Sequence, residues 1–443
     1  MGICSTALYN AVVHDIQPLA AGSPACVAAY EAMVESFLKK APPVDSSQAA
    51  ARKNAAIESF LERHLSSREL DLELSVETRA FVHLLEDRFR CFMSGEMFSV
   101  GMRVGPGSAQ GMAFGSTSEL CKLWHGPSAV SSLALYREFL GVAAEYIPSF
   151  YQAEILRRKN YGYPQLINFS RLETVPKDDV KDRVIAVEPV INSVMQQGLG
   201  FVLTELLRSV GCDLRVQPDK NRLLAKEGSL TGTLATVDFS AASDYMSRNL
   251  VRKLFPTIAP WCEFVSTEAI LVRGEPRYGS ILYSMGNAIT FPLQTLCFIT
   301  LAYESLVRHG ITPAMNKTFA AFGDDVIVAS QACETFLSLA SSAGFVPNPR
   351  KTFTGGPFRE SCGADWYEGI NVRGVYLKRR LDRIPDIYVI RNLLSAYIAR
   401  WGLLDHSCLD MLDAELAARR SLNYVPLHAP LDAGVRTADH RLG

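Results

Sequence analysis

Thr318-Phe319-Ala320-Ala321-Phe322-Gly323-Asp324-Asp325-Val326-Ile327-Val328-Ala329 places an acidic pair, behind a single glycine, between two short apolar runs. Runs of this length around a glycine predict a buried hairpin with the acids at its turn. An upstream stretch, Leu234-Ala235-Thr236-Val237-Asp238-Phe239-Ser240-Ala241-Ala242-Ser243-Asp244, gives the pair a partner, a buried strand that ends on Asp238. An acid within a buried run is costly unless something compensates it. Carboxylates drawn from two places in a fold are what a two-metal phosphoryl-transfer site needs, because both ions must clamp the attacking and leaving oxygens of an in-line displacement. Gly-Asp-Asp alone is a common accident of composition, and the Asp238 strand is what gives it weight.

The chain has 443 residues, more than one hydrophobic core usually serves, with 48% hydrophobic and 21% charged residues. That is the composition of a globular protein with more than one domain. No apolar run approaches the roughly 20 residues that span a bilayer, so no membrane association is expected. The net charge is -1, so contact with a polyanion must come from local basic patches. The ten cysteines form no C-x-x-C pair, and neither they nor the eight histidines have zinc spacing, which predicts reduced thiols, a cytosolic setting and no structural zinc. Met1-Gly2-Ile3-Cys4-Ser5-Thr6 matches the loose myristoylation pattern, read here as chance.

Outward from the acids, Ser23-Pro24 predicts a helix start, with the helix running to about Lys40, and Asp45 with Gln48 predicts a capping box for a second. Ile57, Phe60, Leu61 and Leu65 share a face of that second helix, and Phe81, Leu84, Leu85 and Phe89 mark a third core stripe. Gly101 to Gly115 holds Gly105-Pro106-Gly107-Ser108 but no following Lys-Ser or Lys-Thr, so it reads as a loop rather than a phosphate cradle. Val175 to Pro189 gathers Lys177, Lys181 and Arg183 just before a β-branched run. Such a stretch suits a triphosphate, since lysine offers a point charge and arginine a planar fork; it equally suits a solvated strand neutralised by Asp178, Asp179 and Asp182.

After Asp238, Ser243 and Asp244 are expected to begin a helix through Met246, Leu250, Val251 and Leu254, where Asp244 is either a functional acid or a cap. Ser284-Met285-Gly286-Asn287 opens a long apolar helix ending near His309-Gly310; its small and hydroxylated residues can approach a sugar or base pair, or Ser284 is a plain N-cap. Ala332 to Ala343 reads as helix. Pro347-Asn348-Pro349-Arg350-Lys351-Thr352-Phe353 reads as an extended return whose lysine has the chemistry of a general acid near a departing pyrophosphate. Glu360-Ser361-Cys362-Gly363, Trp366-Tyr367 and Val375 to Arg380 suggest a hairpin with a basic, aromatic edge suited to a nucleic-acid strand.

Val-Pro-Lys, Asp-Arg and Ile-Ala-x-Glu-Pro (175 to 189), Ala-Thr-Val-Asp-Phe-Ser-Ala-Ala-Ser-Asp (235 to 244), Ser-Met-Gly-Asn (284 to 287), Gly-Asp-Asp (323 to 325), Lys-Thr-Phe (351 to 353) and Phe-Arg-Glu-Ser-Cys-Gly (358 to 363) occur in that order. In content and spacing the chain resembles the RNA-dependent RNA polymerases of the leviviruses, the positive-strand RNA bacteriophages. The resemblance is strong over about Pro176 to Tyr376 and weak in the N-terminal third. It implies an α+β right-hand polymerase of fingers, palm and thumb, with an antiparallel palm sheet backed by helices. On that plan 1-165 is an N-terminal helical region with part of the fingers, 166-230 fingers with the basic segment, 231-355 the palm, and 356-443 the following hairpin and a short thumb.

The resemblance further implies that Asp238, Asp324 and Asp325 hold two magnesium ions, with manganese as a substitute. Asp244, Ser284, Gly286 and Asn287 would meet the incoming nucleotide and its 2′-hydroxyl. Lys177 and Arg183 would grip the triphosphate, and Lys351 would protonate the leaving pyrophosphate. Expected partners are RNA template and product, ribonucleoside triphosphates, host elongation factors Tu and Ts and a ribosomal protein, in the cytoplasm of a bacterial host. Two features depart from the family. Phe322 stands where tyrosine is usual, and the stretch after Arg380 is short for the family's thumb, so the thumb is reduced or the chain incomplete. A reverse transcriptase would share the strand-end acid and acidic hairpin, but the glycine and Ser-Met-Gly-Asn favour RNA synthesis. A non-catalytic RNA-binding relative is disfavoured by the intact acidic set, since buried like charges are costly to keep without metal.

Overall fold

The computed structural model describes residues 4–41, 49–65, 70–105, 107–112, 118–124, 126–177, 181–279 and 284–439. The capping pair Asp45 and Gln48 and the N-terminal Met1-Gly2-Ile3 lie outside these. The chain divides into two compact units, a larger one of 53–175 with 183–364, and a smaller one of 1–52, 176–182 and 365–443.

At the centre of the larger unit is a three-stranded antiparallel sheet. The Leu234–Val237 strand pairs with Asp325–Ala329, which turns back onto Phe319–Phe322. The register sets Val237 opposite Val326 and Phe322 opposite Asp325. The chain therefore leaves the first strand at Asp238 beside the end where the hairpin turns. The two-residue side-chain period explains the rest: Val237 and Phe239 are buried on either side of Asp238 in the sequence, while Asp238 itself is half-buried. Phe239 stacks on Phe298 with centroids 4.5 Å apart and meets Phe336 and Phe345 edge-on, so aromatic packing anchors the acid's own neighbour in the core.

Helices back the sheet. Thr290–Arg308 is buried along almost its whole length, as are most positions of Val190–Ser209, and both join one continuous core with the sheet. Gln217–Thr231 packs against the Leu234–Val237 strand so closely that a Cβ on Gly228 would lie 2.6 Å from the Leu234 carbonyl oxygen. The anticipated Ala332–Ala343 helix runs Cys333–Ser342. A second sheet orders Asp182–Val187, Phe169–Pro176, Ala269–Val272 and Glu275–Arg277, with Phe169–Pro176 and Ala269–Val272 parallel. Phe60, on the Ala49–Leu65 helix, is wholly buried in a small cluster with Val184, Ile270 and Val272, against which Ile57 and Leu61 also pack.

In the smaller unit, Asp15 caps a distant helix. Its carboxylate accepts from the Ser407 hydroxyl and from the Cys408 amide at 2.7 Å, at the start of Ser407–Ala418. These bonds outweigh burial and hold its carboxyl below the ordinary range. The Tyr397 hydroxyl donates to the Ala29 carbonyl, tying the Pro24–Ser36 helix to Ile384–Trp401.

Several sequence expectations are corrected. The helix started by Ser23 ends at Ser36 rather than near Lys40, and turns follow. Leu84 of the third stripe is 43% exposed; the face turned inward is Val82, Leu85 and Phe89. Asp244 begins no α-helix. It sits in a 3-10 turn, Ala242–Tyr245, and the helix starts at Arg248, capped by Ser247, whose hydroxyl accepts from the Leu250 amide. Ser284 is not a cap either, because turn residues separate it from the helix that begins at Thr290. In both places a run of small residues was spent on a turn that brings polar side chains inward.

Candidate active site

The acidic turn is shaped by its glycine. Gly323 has φ of 62°, and a Cβ there would sit 2.4 Å from the Phe291 ring. Its amide donates to the Thr295 hydroxyl at 3.0 Å, so the long buried helix holds the turn from beneath. Phe322 meets Phe291 edge-to-face at 4.7 Å, a contact made by the ring alone. Asp325 opens the returning strand. Its carboxylate accepts from the Cys362 amide at 3.2 Å, and its carbonyl from the Asn221 side chain at 3.1 Å.

Asp238 is held by the return segment. The Asn348 side chain donates to its carboxylate at 2.9 Å, and the Asn348 amide donates to its carbonyl at 2.9 Å. Phe353 exchanges backbone bonds with Thr236, so the segment carrying Lys351 lies along the Asp238 strand. Lys351 donates to Glu360 at 3.1 Å. The buried Arg359 donates from Nε to the Leu234 carbonyl and from Nη1 to the carbonyls of Gly355, Gly356 and Phe358, which stitches the Phe358–Ser361 strand to the same place.

These groups are electrostatically coupled. Burial raises the Asp238 carboxyl, Lys351 opposes this, and Asp324 raises it again. Asp325 is pushed up to about 6, by burial first, then by Asp324, with Asp238 and Glu360 adding to it against the Cys362 amide. Burial pulls Lys351 down, but Glu360 and Asp238 outweigh it and its net shift is upward. Asp238, Asp324, Asp325 and Glu360 thus act on one another near the turn end of the sheet, with the Lys351 ammonium beside them. The first three are hard oxygen donors of the kind magnesium takes, and like charges at this spacing are eased by a divalent ion. Among the described residues no three such groups are closed up as a ready-made cage, as expected of carboxylates that repel one another.

The other singled-out residues have partners of their own. Asp244 is buried and takes Arg63 Nη2 at 2.8 Å, while Ser243 donates to its other oxygen at 3.3 Å. The Ser284–Asn287 turn lies against the Asp182–Val187 strand, where the Ala186 amide donates to the Met285 carbonyl at 2.8 Å. Gly286 has φ of 103°, and a Cβ there would meet the Ala186 carbonyl oxygen at 2.6 Å, so glycine is needed for this approach. Asn287 donates to the Ser266 hydroxyl and accepts from the Ile289 amide, and the Ser284 carbonyl accepts from Thr290. Arg183 is exposed on the strand that receives this turn, three residues before Ala186. Lys177 is exposed directly after Phe169–Pro176 and belongs to the smaller unit.

Sequence reasoning overlooked Asn348, Asn221, Glu360, Arg359 and Arg63 as supports of these acids. Arg359 and Glu360 stood inside a string already quoted, and Asn348 stood between two prolines. Nothing in the sequence pointed from Arg63 to an acid 181 positions away.

An antiparallel sheet with acids at one end, a lysine-bearing return beside it and helices behind is the palm of a right-hand polymerase. The chain matches the crystal structure of the RNA-dependent RNA polymerase of a human picorbirnavirus with a TM-score of 0.55, over 94% of this chain and 81% of that one, at 14% identity, a likeness of fold alone. The family described as RNA replicase, beta-chain, matches residues 115–414, and the chain belongs to that family. Relatives include the RNA-directed RNA polymerase beta subunits of Enterobacteria phage SP, 39% identical over 52% of this chain and 39% of the relative, and of Escherichia virus Qbeta, 38% identical over 54% and 39%. The beta chain of Escherichia phage MS2 is 35% identical over 56% of this chain and 45% of its own. The matches span less than half the length of these relatives.

Proposed function

We propose that this chain is the catalytic subunit of an RNA-directed RNA polymerase that copies the genome of a positive-strand RNA phage, adding ribonucleotides in the order set by an RNA template. The observation that carries the reading is the approach of Asp238 to Asp324 and Asp325 on paired strands within a chain of the replicase family. Magnesium ions held by these three carboxylates, with manganese as a substitute, would activate the 3′-hydroxyl for in-line attack on the α-phosphorus and neutralise the charge that develops.

The chain's own residues supply the rest. Asn348 fixes one oxygen of Asp238 and the Cys362 amide fixes one of Asp325, so each acid keeps another oxygen for an ion. Lys351 stands protonated beside the acids, with the reach of a general acid for pyrophosphate. Arg183 is an exposed cation of the larger unit, available to a triphosphate, and Lys177, also exposed and proposed for the same role, belongs to the smaller unit. Asp244, Ser284, Gly286 and Asn287 form the reading surface for the ribose, with Asp244 passing from Arg63 to the sugar hydroxyls when a nucleotide arrives. Host elongation factors Tu and Ts and a ribosomal protein are proposed partners, and the bacterial cytoplasm the proposed setting; among the described residues no helix is long and apolar enough to cross a membrane.

The test is synthesis by purified protein with magnesium, defined RNA templates, and ribo- or deoxyribonucleotides, with and without host factors. RNA made only from ribonucleotides supports the reading. Deoxyribonucleotide incorporation would point to a reverse transcriptase, and template binding without synthesis under every condition to a non-catalytic relative.

A further inference from the structure

Glu360 belongs to a string that no step above uses, yet it is the fourth carboxylate at the acidic end of the sheet. Its backbone is fixed to the strand that leads to Asp238: the Glu360 amide faces the buried Thr236 hydroxyl at 3.4 Å, and the neighbouring Arg359 grips the Leu234 carbonyl at 2.7 Å. From there its carboxylate accepts from the Lys351 ammonium at 3.1 Å. Lys351 has a second anionic neighbour in Asp238, and Asp325 contributes more weakly. An ammonium with this choice, left without Glu360, would swing onto Asp238 and occupy the oxygen an ion needs. As an ion pair the contact is worth little, because the two side chains are 42% and 23% exposed, and such pairs contribute at most about 1 kcal/mol. Stability does not account for a carboxylate kept among three others.

We propose that Glu360 is a positioning residue, which holds the Lys351 ammonium clear of Asp238 and in the pose from which it meets the leaving pyrophosphate. The inference rests on the polymerase reading above. As the bond from the α-phosphorus to its bridging oxygen breaks, that oxygen takes the bond's electron pair and a proton from Lys351. The lysine is left as a neutral amine and regains its proton from water.

The test is single-nucleotide addition by the full chain on a defined RNA template, across magnesium concentrations, for Glu360→Gln, Glu360→Asp, Lys351→Ala and the Glu360→Gln/Lys351→Ala double variant. Thermal unfolding reports on each variant's fold, and the Glu360→Asp variant keeps the test open if Glu360→Gln fails to fold. The expected result is a loss of about tenfold in kcat for Glu360→Gln and about a hundredfold for Lys351→Ala. KM for the nucleotide stays unchanged, activity partly returns in Glu360→Asp, and the double variant is no slower than Lys351→Ala alone. Losses that multiply in the double variant would overturn the proposal. So would a weakened magnesium dependence in Glu360→Gln that persists when Lys351 is also replaced by alanine, which would make Glu360 an ion ligand. A wild-type chain that adds no nucleotide under any condition would instead overturn the polymerase reading, and this inference with it.

Discussion

The acidic end of the sheet and the Asp244 cluster are both built from polar side chains in one compact unit, but they spend those side chains differently. At the sheet, Asp238, Asp324 and Asp325 press on one another, and burial with mutual repulsion raises two of their carboxyls. At Asp244, and separately at Asn287, hydrogen bonds close on the protein itself: Arg63 answers Asp244, and Ser266 and the Ile289 amide answer Asn287. The first region stores electrostatic strain of the kind that the proposed divalent ions would relieve. The second is satisfied at rest, so a nucleotide proposed to bind there would have to displace a protein partner. The contrast fits the proposed division, with ion binding at the first and nucleotide selection at the second.

Removing a charge from the strained region has the largest consequence. Asp324→Asn is expected to lower nucleotide addition by about a thousandfold or more, since metal-borne stabilisation of the transition state is worth several kcal/mol, while RNA binding measured by filter retention stays intact. Unchanged incorporation would break the comparison at its root.

Removing a charge from the satisfied region acts on folding and selection. Arg63→Ala leaves the Asp244 carboxylate buried without its cation, and because the pair is partly exposed the expected cost is about 2 kcal/mol in denaturant unfolding. The ratio of ribo- to deoxyribonucleotide incorporation should shift as well. A variant as stable and as selective as the parent would show that Arg63 does not hold the acid.

Relieving the strain should do the opposite. Asp325 in the folded chain takes up its proton at about pH 6, against an ordinary carboxyl near 4. Between those values the folded state binds more protons than the unfolded chain, so stability from this group falls as pH rises from about 4 to 6 and stays reduced above. Asp325→Asn should therefore stabilise the metal-free protein at pH 7, by about 2 kcal/mol at most, with the gain fading toward pH 4. Thermal unfolding across that range checks the sign. Phe322→Tyr should do least: the ring contact with Phe291 is kept, and a change in nucleotide addition within about threefold is expected.

The hairpin and the Asp238 strand were legible because apolar runs interrupted by single acids allow few other readings. The helix after Ser284 was legible from its length and its stop at His309-Gly310. What failed was the chain between elements. Ser243-Asp244 and Ser284 looked like caps because small polar residues serve caps and turns alike, and only packing decides which. Leu84 was misjudged because Val82 took its place facing the core. The supports of the acids could not be read at all: Asn348 reaches Asp238 over 110 positions, and Arg63 reaches Asp244 over 181. Hydrogen bonds between residues so far apart leave no periodicity.

The central claim is that acids from separate strands hold the same ions, and manganese binding followed by electron paramagnetic resonance tests it most directly. The wild-type chain should show a tight manganese population, and Asp238→Asn and Asp324→Asn, each alone, should both lose it while remaining folded by circular dichroism. A folded Asp238→Asn variant that binds manganese as the wild type does would contradict the account.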